Sequence, residues 1–311
     1  MTAFFQEQLE AARQDIIDKD VIYELSLANG KYIRISNEIP EAIPTYEFRY
    51  YTRLGQAKVK LNRDSSVPTI DEMVDTRMVK VFPVRLGFNL EIDELDLSRV
   101  LGRNIVSEKL QTVREGIDQK LDIIAFQGEP GTTMQGLATN NNVSVISLPA
   151  DGNQNGATNS AAWTNKTPLQ ILRDLSIIIM KVPEQTKLTR TINRLLIPAS
   201  KYLYLQTTPF NADTGKSILA VFLENIAAAP NGGQIEIVGH PILETLGTGG
   251  VGRIIGYDTR SSGNAFHIPQ GGDFRDLEPS YANTTWRIPC QAKTAGVQIE
   301  RTLEVVYADV L

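Results

Sequence analysis

Asn211 to Leu219 read NADTGKSIL, and a Gly-Lys-Ser triplet running into an apolar helix is how a phosphate-binding loop ends. That loop requires Gly-x-x-x-x-Gly-Lys-Ser/Thr, because successive backbone N–H groups must wrap the phosphates. Phe210, preceded by Pro209, stands where the first glycine belongs, and no buried strand leads into the segment. The triplet is therefore expected to open a structural helix capped by Asp213 or Thr214, with Ile218, Phe222 and Ile226 toward a core. Gly247 to Gly252, GTGGVG, has the Gly-x-Gly-x-x-Gly spacing of a dinucleotide site. Such a site needs a strand before it and a helix after it. The flank after it, RIIGYD, reads as a strand, so a loop tip is expected.

Other chemistry-bearing residues do not gather into a constellation. His240 lies before Pro241, and His267 sits in the alternating segment AFHIP. Neither Glu-x-x-His nor His-x-x-x-His occurs, so no dedicated transition-metal site is expected. Asp93, Glu94 and Asp96 precede a helix, where carboxylates complement the positive end of the helix dipole rather than ligate a metal. Cys290 is the single cysteine, which excludes an internal disulfide and a multi-cysteine zinc site. No Gly-x-Ser-x-Gly elbow is present. The expectation is no catalytic residue, no cofactor and no metal.

Composition narrows the class further. The 311 residues suffice for one large or two modest domains, and 42% hydrophobic residues can bury a sizeable core. A formal charge of −5 and the lack of a clustered basic run argue against tight phosphate-directed DNA binding. With no charged-then-apolar leader and no run of about 18 apolar residues, neither a signal peptide nor a membrane span is expected.

The positioning elements read as follows. Phe5, Leu9, Ala12 and Ile16 place a narrow apolar stripe on a helix over 3–17, and Asn29-Gly30 signals a tight hairpin. Leu101, Ile105, Leu110, Val113, Ile117, Leu121 and Ile124 predict one long helix of about 27 residues, roughly 40 Å. A glycine-rich loop, GEPGTTMQGLATNNNV, ends it, and 149–166 reads as an exposed connection. Thr167-Pro168 is an N-cap with proline in the first turn, and Leu172, Leu175, Ile178, Ile179 and Val182 give the next helix a buried face. NRLLIPA, QIEIVG, GRIIGYD, AFHIP and a terminal pair of strands within 286–311 complete the chain. Strands and helices mix without regular alternation, which points to α+β and not to a doubly wound sheet.

EFRYYTRLGQAKVKLNRD and RMVKVFPVRLGFNLEI are both strand-like, with a polar bend, DSSVPTIDE, between them. Leu86, Phe88, Leu90 and Ile92 alternate with Arg85, Gly87, Asn89 and Glu91. A long two-stranded hairpin is marginal alone in water, and near the bend of this one both faces are largely polar or charged. It is either a surface hairpin or an arm lying on a neighbouring copy. On the second reading Arg53, Lys58, Lys60, Arg63, Asp71, Glu72 and Arg85 are its assembly contacts.

This order of parts resembles the tailed-phage major capsid proteins of the Hong Kong 97 fold, a fold shared with encapsulins. GQAKVKLNRDSSVPTIDE is similar to the middle of their extended loop. ELDLSRVLGRNIVSEKLQTVREGIDQKLDIIAFQGE looks like the spine helix, followed by GLATNNNV. TPFNADTGKSILAVFLENI looks like a helix of the axial domain, and ERTLEVVYADVL like the closing strand of the peripheral domain. The resemblance implies an N-terminal arm over 1–30 and an extended loop over 47–90. It places the peripheral domain in 31–46, 91–185 and 285–311, and the axial domain in 186–284. It implies a shell of pentamers and hexamers that encloses phage double-stranded DNA non-specifically, assembled in the host bacterial cytoplasm without a membrane. Portal, scaffolding and decoration proteins are the other partners it suggests. The chain begins almost at the arm, so scaffolding is expected to be separate or unnecessary. Some relatives cross-link a lysine to an asparagine; Lys58 and Lys60 lie in the loop, but no asparagine partner is identifiable and no cross-link is expected. An encapsulin shell around cargo enzymes is the alternative, and a small-molecule-binding enzyme using the glycine-rich loops a distant one.

Overall fold

The computed structural model describes residues 32–36, 42–54, 71–101, 104–211, 215–227, 234–259, 266–269, 274–299 and 301–311. The helix expected over 3–17, the Asn29-Gly30 turn, residues 64–70 of the expected bend and the caps Asp213 and Thr214 lie outside these residues. The first half of the chain forms β1 (Arg34–Ser36), β2 (Thr45–Leu54), β3 (Asp71–Lys80), β4 (Phe82–Glu91), α1 (Ile92–Leu101), α2 (Ile105–Gln127) and β5 (Val145–Ile146). Next come α3 (Pro168–Gln185), β6 (Arg194–Pro198), α4 (Ala199–Thr207), α5 (Ile218–Ala227), β7 (Glu236–His240) and β8 (Gly252–Tyr257). The last part holds β9 (Phe266–Pro269), β10 (Arg275–Asp276), β11 (Ser280–Ala282), β12 (Thr285–Thr294), β13 (Gln298–Ile299) and β14 (Val305–Val310).

A five-stranded mixed sheet, β5-β14-β8-β6-β7, is covered on both faces. Alternate residues of a strand point to opposite faces. Leu195, Ile197, Ile254, Val306 and Ala308 pack under α3, α4 and α5 through Leu175, Ile178, Leu205 and Phe222. Leu196, Ile255, Tyr257, Val305 and Tyr307 face a second core with Phe126, Leu137 and Leu243. Burial on both sides explains why RLLIP, RIIGY and VVYADV read as apolar runs and not as alternations. Thr167 caps α3 as expected: its side chain accepts from the Gln170 N–H, and the Gln170 side chain accepts from the Thr167 N–H.

A second unit sets α2 on a sheet in which β12 pairs with β4 along one edge and with β10 and β11 along the other. Leu110, Val113, Ile117 and Leu121 on α2 meet Phe88, Leu90, Ile288, Cys290 and Ala292. A Cβ on Gly116 would come within 2.8 Å of the Leu86 side chain, so glycine lets helix and sheet approach closely. Gly128 ends α2 at φ 76°, and its N–H donates to the Ile124 carbonyl. In a smaller sheet, β9 pairs with β1 in parallel and with β13 antiparallel.

Five sequence expectations need correction. The single long helix is two, because Asn104 leaves helical geometry to cap α2, accepting from the Ser107 N–H at 3.2 Å. Asp93, Glu94 and Asp96 consequently lie inside α1 rather than ahead of it. The second strand of the long hairpin is divided at Val81: β3 pairs with β2, whereas β4 pairs over ten positions with β12. Arg85 and the alternating Leu86, Phe88 and Leu90 thus belong to the sheet under α2. The terminal strands separate likewise, β12 joining β4 and β14 joining β8 across the expected domain boundary. The connection 149–166 is not wholly exposed, since Trp163 and Lys166 are buried.

Candidate functional site

The motifs that suggested nucleotide chemistry have structural partners. Lys216 Nζ lies 2.7 and 2.9 Å from the two carboxylate oxygens of Glu224. The Lys216 carbonyl accepts from the Phe210 N–H, and the Ser217 hydroxyl accepts from the Ala220 N–H at the first turn of α5. Ser217 therefore caps the helix, which starts at Ile218. Ile218 and Phe222 are buried and Ile226 packs beside them, as expected. GTGGVG forms a turn: the Gly247 N–H donates to Val251 O, and Gly249 and Gly250 take φ of 82° and 78°. A short 3-10 turn over Pro241–Glu244 precedes this segment and β8 follows it, the reverse of a dinucleotide fingerprint.

His240 caps that 3-10 turn, its Nδ1 accepting from the Ile242 N–H, and stacks on Phe126 at 4.5 Å between ring centroids. Burial pushes its pKa down, so the neutral ring is the resident form. His267 lies in β9 opposite Arg34 and Gln298. Glu94 pairs with Lys109 across the break between α1 and α2, at 2.5 Å, and the Lys109 hydrogen bond holds its carboxyl below the usual range. Burial pushes Asp118 the other way, to about 6, against the pull of Arg114. Among the described residues, no three His, Cys, Asp or Glu side chains are placed to share a metal ion.

A charged cluster that sequence reasoning missed joins the 149–166 connection to α3. Lys166 Nζ lies 2.5 Å from Asp174 Oδ2, with both side chains fully buried, and donates to the Pro149 carbonyl. Arg173 bridges Asp174 at 3.0 Å and Asp151 at 2.6 Å. Asp174 stands between Ile171 and Leu175 on the buried face of α3, where a carboxylate requires a partner. A charged residue at a core position of an apolar stripe was the available signal.

The residues expected to make assembly contacts fall into two places. β2 and β3 form a two-stranded ladder in which Arg53 stands opposite Glu72 and Leu54 opposite Asp71. Among the described residues each pairs only with the other, leaving two open edges. The ladder is anchored at its base, where Tyr46, Val79 and Val81 pack with Ala295 while Met78 stays 73% exposed. Lys58, Lys60 and Arg63 lie outside the described residues. Arg85 is elsewhere, on β4, opposite Gln291 of β12.

Residues 42–311 match the profile of a family described as "Major capsid protein". Solved structures share the fold at low sequence identity. The capsid of Myoviridae phage XM1 aligns at 12% identity with a TM-score of 0.71, covering 94% of each chain. The capsid of an empty GTA particle aligns at 10% and 0.61, covering 94% of this chain and 92% of that one. Microbacterium phage Oxtober96 aligns at 12% and 0.60, covering 94% and 93%. No curated protein sequence matches the chain. No described helix is long and apolar enough to cross a membrane.

Proposed function

The chain belongs to the major capsid protein family, and from that premise we propose that its shell is icosahedral, built of pentamers and hexamers around double-stranded phage DNA. A shell-forming structural subunit, a component of the virion, is what this family and fold provide. On the proposed reading the subunit performs no catalysis, needs no cofactor or metal, and assembles in the host cytoplasm. Portal, scaffolding and decoration proteins remain its proposed partners. DNA is enclosed rather than gripped, in keeping with the formal charge of −5. On this reading the peripheral domain takes 31–46, 91–185 and 285–311, with α2, α3 and β12, the axial domain takes 186–284, with α4, α5 and β8, and the β2–β3 ladder belongs to the extended loop over 47–90.

The observation that carries this reading is the ladder itself. Among the described residues it has two open edges, and its described side chains anchor it at its base. Ordering a chain costs about 1–2 kcal/mol per residue, and open edges are templates for pairing. Laid on a neighbour, the ladder gains burial and edge pairing, and small gains repeat at every contact of a closed assembly. Arg49 and Thr76 stand opposite each other, so a Gly-Ser turn can replace 50–75 without shifting the register. The expected product is a folded subunit with near-native circular dichroism that elutes as monomers or small capsomers. Shells as resistant to salt and heat as the parent's would refute an assembly role for the ladder.

A further inference from the structure

Arg253 is a buried guanidinium at the meeting point of three chain segments. It stands on β8 opposite Asp309 of β14, in strand alternation with Ile255 and Tyr257 of the core that holds Phe126 and Leu137. Its Nε lies 2.7 Å from Asp309 Oδ1 and its Nη2 3.0 Å from Oδ2, so the fork grips both carboxylate oxygens. Nη2 also donates to Thr248 Oγ1 at 3.2 Å, and Nη1 donates to the Ala138 carbonyl at 2.7 Å. The guanidinium lies over the Tyr307 ring, 5.0 Å from its centroid, and the Tyr307 hydroxyl donates to the Leu137 carbonyl. The Leu137 and Ala138 N–H groups donate in turn to the Ala125 and Phe126 carbonyls, which the last turn of α2 leaves open. One side chain thus connects the end of α2 to the glycine turn at 247–251. On the proposed division it joins the axial part, with Thr248, to the peripheral part, with Ala138 and Asp309.

The turn depends on that connection for its direction. Thr248, Gly249 and Gly250 are exposed, and no neighbouring atom lies within 4 Å of where a Cβ on Gly249 or Gly250 would stand. The turn's own bonds run from the Gly247 N–H to Val251 O and from the Gly250 N–H to Gly247 O. Thr248 ties it to the body: its N–H donates to Asp309 Oδ2 at 2.9 Å, and its hydroxyl accepts from Arg253. Stability alone does not call for a buried ion pair here, since apolar residues of similar volume commonly serve as well. Apolar packing lacks direction, whereas the planar guanidinium fork fixes the angle of each group it touches. We propose that Arg253 is a positioning residue for assembly, presenting the Thr248–Gly250 turn to neighbouring copies in a fixed orientation relative to α2. The inference rests on the reading of the chain as a shell subunit, and it names the residue that orients this surface.

Replacing the ion pair by apolar side chains separates positioning from stability. Arg253→Met with Asp309→Leu removes the ties to Thr248 and Ala138 without burying an unpaired charge. The unfolding midpoint of dissociated subunits is expected to stay close to the parent's. The Gly247 and Gly250 amides, whose acceptors lie inside the turn and are untouched by the substitutions, are expected to exchange at least about tenfold faster. The yield of shells of uniform diameter is expected to fall at least about tenfold, because the turn is no longer ordered before assembly. Should the double variant fail to fold, Arg253→Lys carries the test. It keeps a charge beside Asp309 without the fork, and smaller changes in the same directions are expected. Unchanged exchange at Gly247 and Gly250 overturns the proposal, because the turn then holds its own shape. Faster exchange with a full yield of uniform shells also overturns it, because assembly then makes no use of the turn's orientation. A parent subunit that forms no shells refutes the proposed function itself, and the assembly role of Arg253 with it, whatever the exchange rates.

Discussion

The five-stranded sheet and the β2–β3 ladder show opposite ways of ordering strands in one chain. Every residue of β8 is buried, and β14 is buried at five of six positions, because helices cover one face and a second apolar core the other. Burial at about 25 cal/mol per Å² offsets the ordering entropy within the subunit itself. The ladder has ten residue pairs in register, and among its described side chains the apolar anchor is at its base. Backbone hydrogen bonds contribute only about 1 kcal/mol each after exchange with water, too little to order it alone. One region is stable because its partners lie in the same chain. On the proposed reading the other is completed by partners from outside it, a division that suits a subunit that must fold before it assembles.

The comparison breaks most visibly at Leu110. This residue is 1% exposed between α2 and the β12-centred sheet. Leu110→Asp buries an unpaired carboxylate, costing several kcal/mol of a total near 5–15 kcal/mol, and is expected to abolish soluble folding. Native-like thermal unfolding of this variant would contradict the placement of the α2 core. The contrasting test is Met78→Asp on the open side of the ladder, which is expected to leave the unfolding midpoint of dissociated subunits unchanged.

Asp174 sharpens the comparison inside the body. Asp174→Ala leaves the buried Lys166 ammonium without its closest partner and is expected to cost about 3–5 kcal/mol in denaturant unfolding. Lys166→Met with Asp174→Leu is expected to lose less than the single change, since a buried ion pair contributes little net energy over apolar packing. A double variant weaker than the single one would show that the cluster does more than compensate its own burial.

Asp118 gives a smaller, pH-dependent effect. Its folded pKa of about 6 lies above the ordinary value near 3.8, so the folded state holds the proton more tightly. Its contribution to stability therefore falls as pH rises between these values, and below about 4 both states are protonated and the effect vanishes. Asp118→Asn is expected to raise stability by about 2 kcal/mol at pH 7 and by almost nothing at pH 3.5. Equal effects at both pH values would point to a cause other than titration.

Local signals carried much of the fold. Thr167-Pro168 was legible because a capping box needs only neighbouring residues. Leu110, Val113 and Ile117 were legible because a helical stripe repeats every three to four residues. What stayed hidden depended on distant partners. Nothing near Val81 announces that the chain leaves one sheet for another, because the choice is made by Thr285–Thr294. The partition of β12 and β14 between sheets is hidden for the same reason. Asn104 was readable as a cap, yet the uninterrupted apolar spacing masked it. The shell-forming role was legible only through the order of the parts, since no catalytic geometry marks such a subunit and its working surfaces are completed by other copies.

Amide hydrogen exchange over 45–54 and 71–80, compared between dissociated subunits and assembled shells, tests the dependence of the ladder on a neighbour most directly. In dissociated subunits these amides are expected to exchange close to unprotected rates while β8 and β14 stay protected. In shells, exchange over the ladder is expected to slow by at least about a hundredfold. Equal protection of the ladder in both states would show that it is stable on its own and would contradict its role as the element completed by assembly.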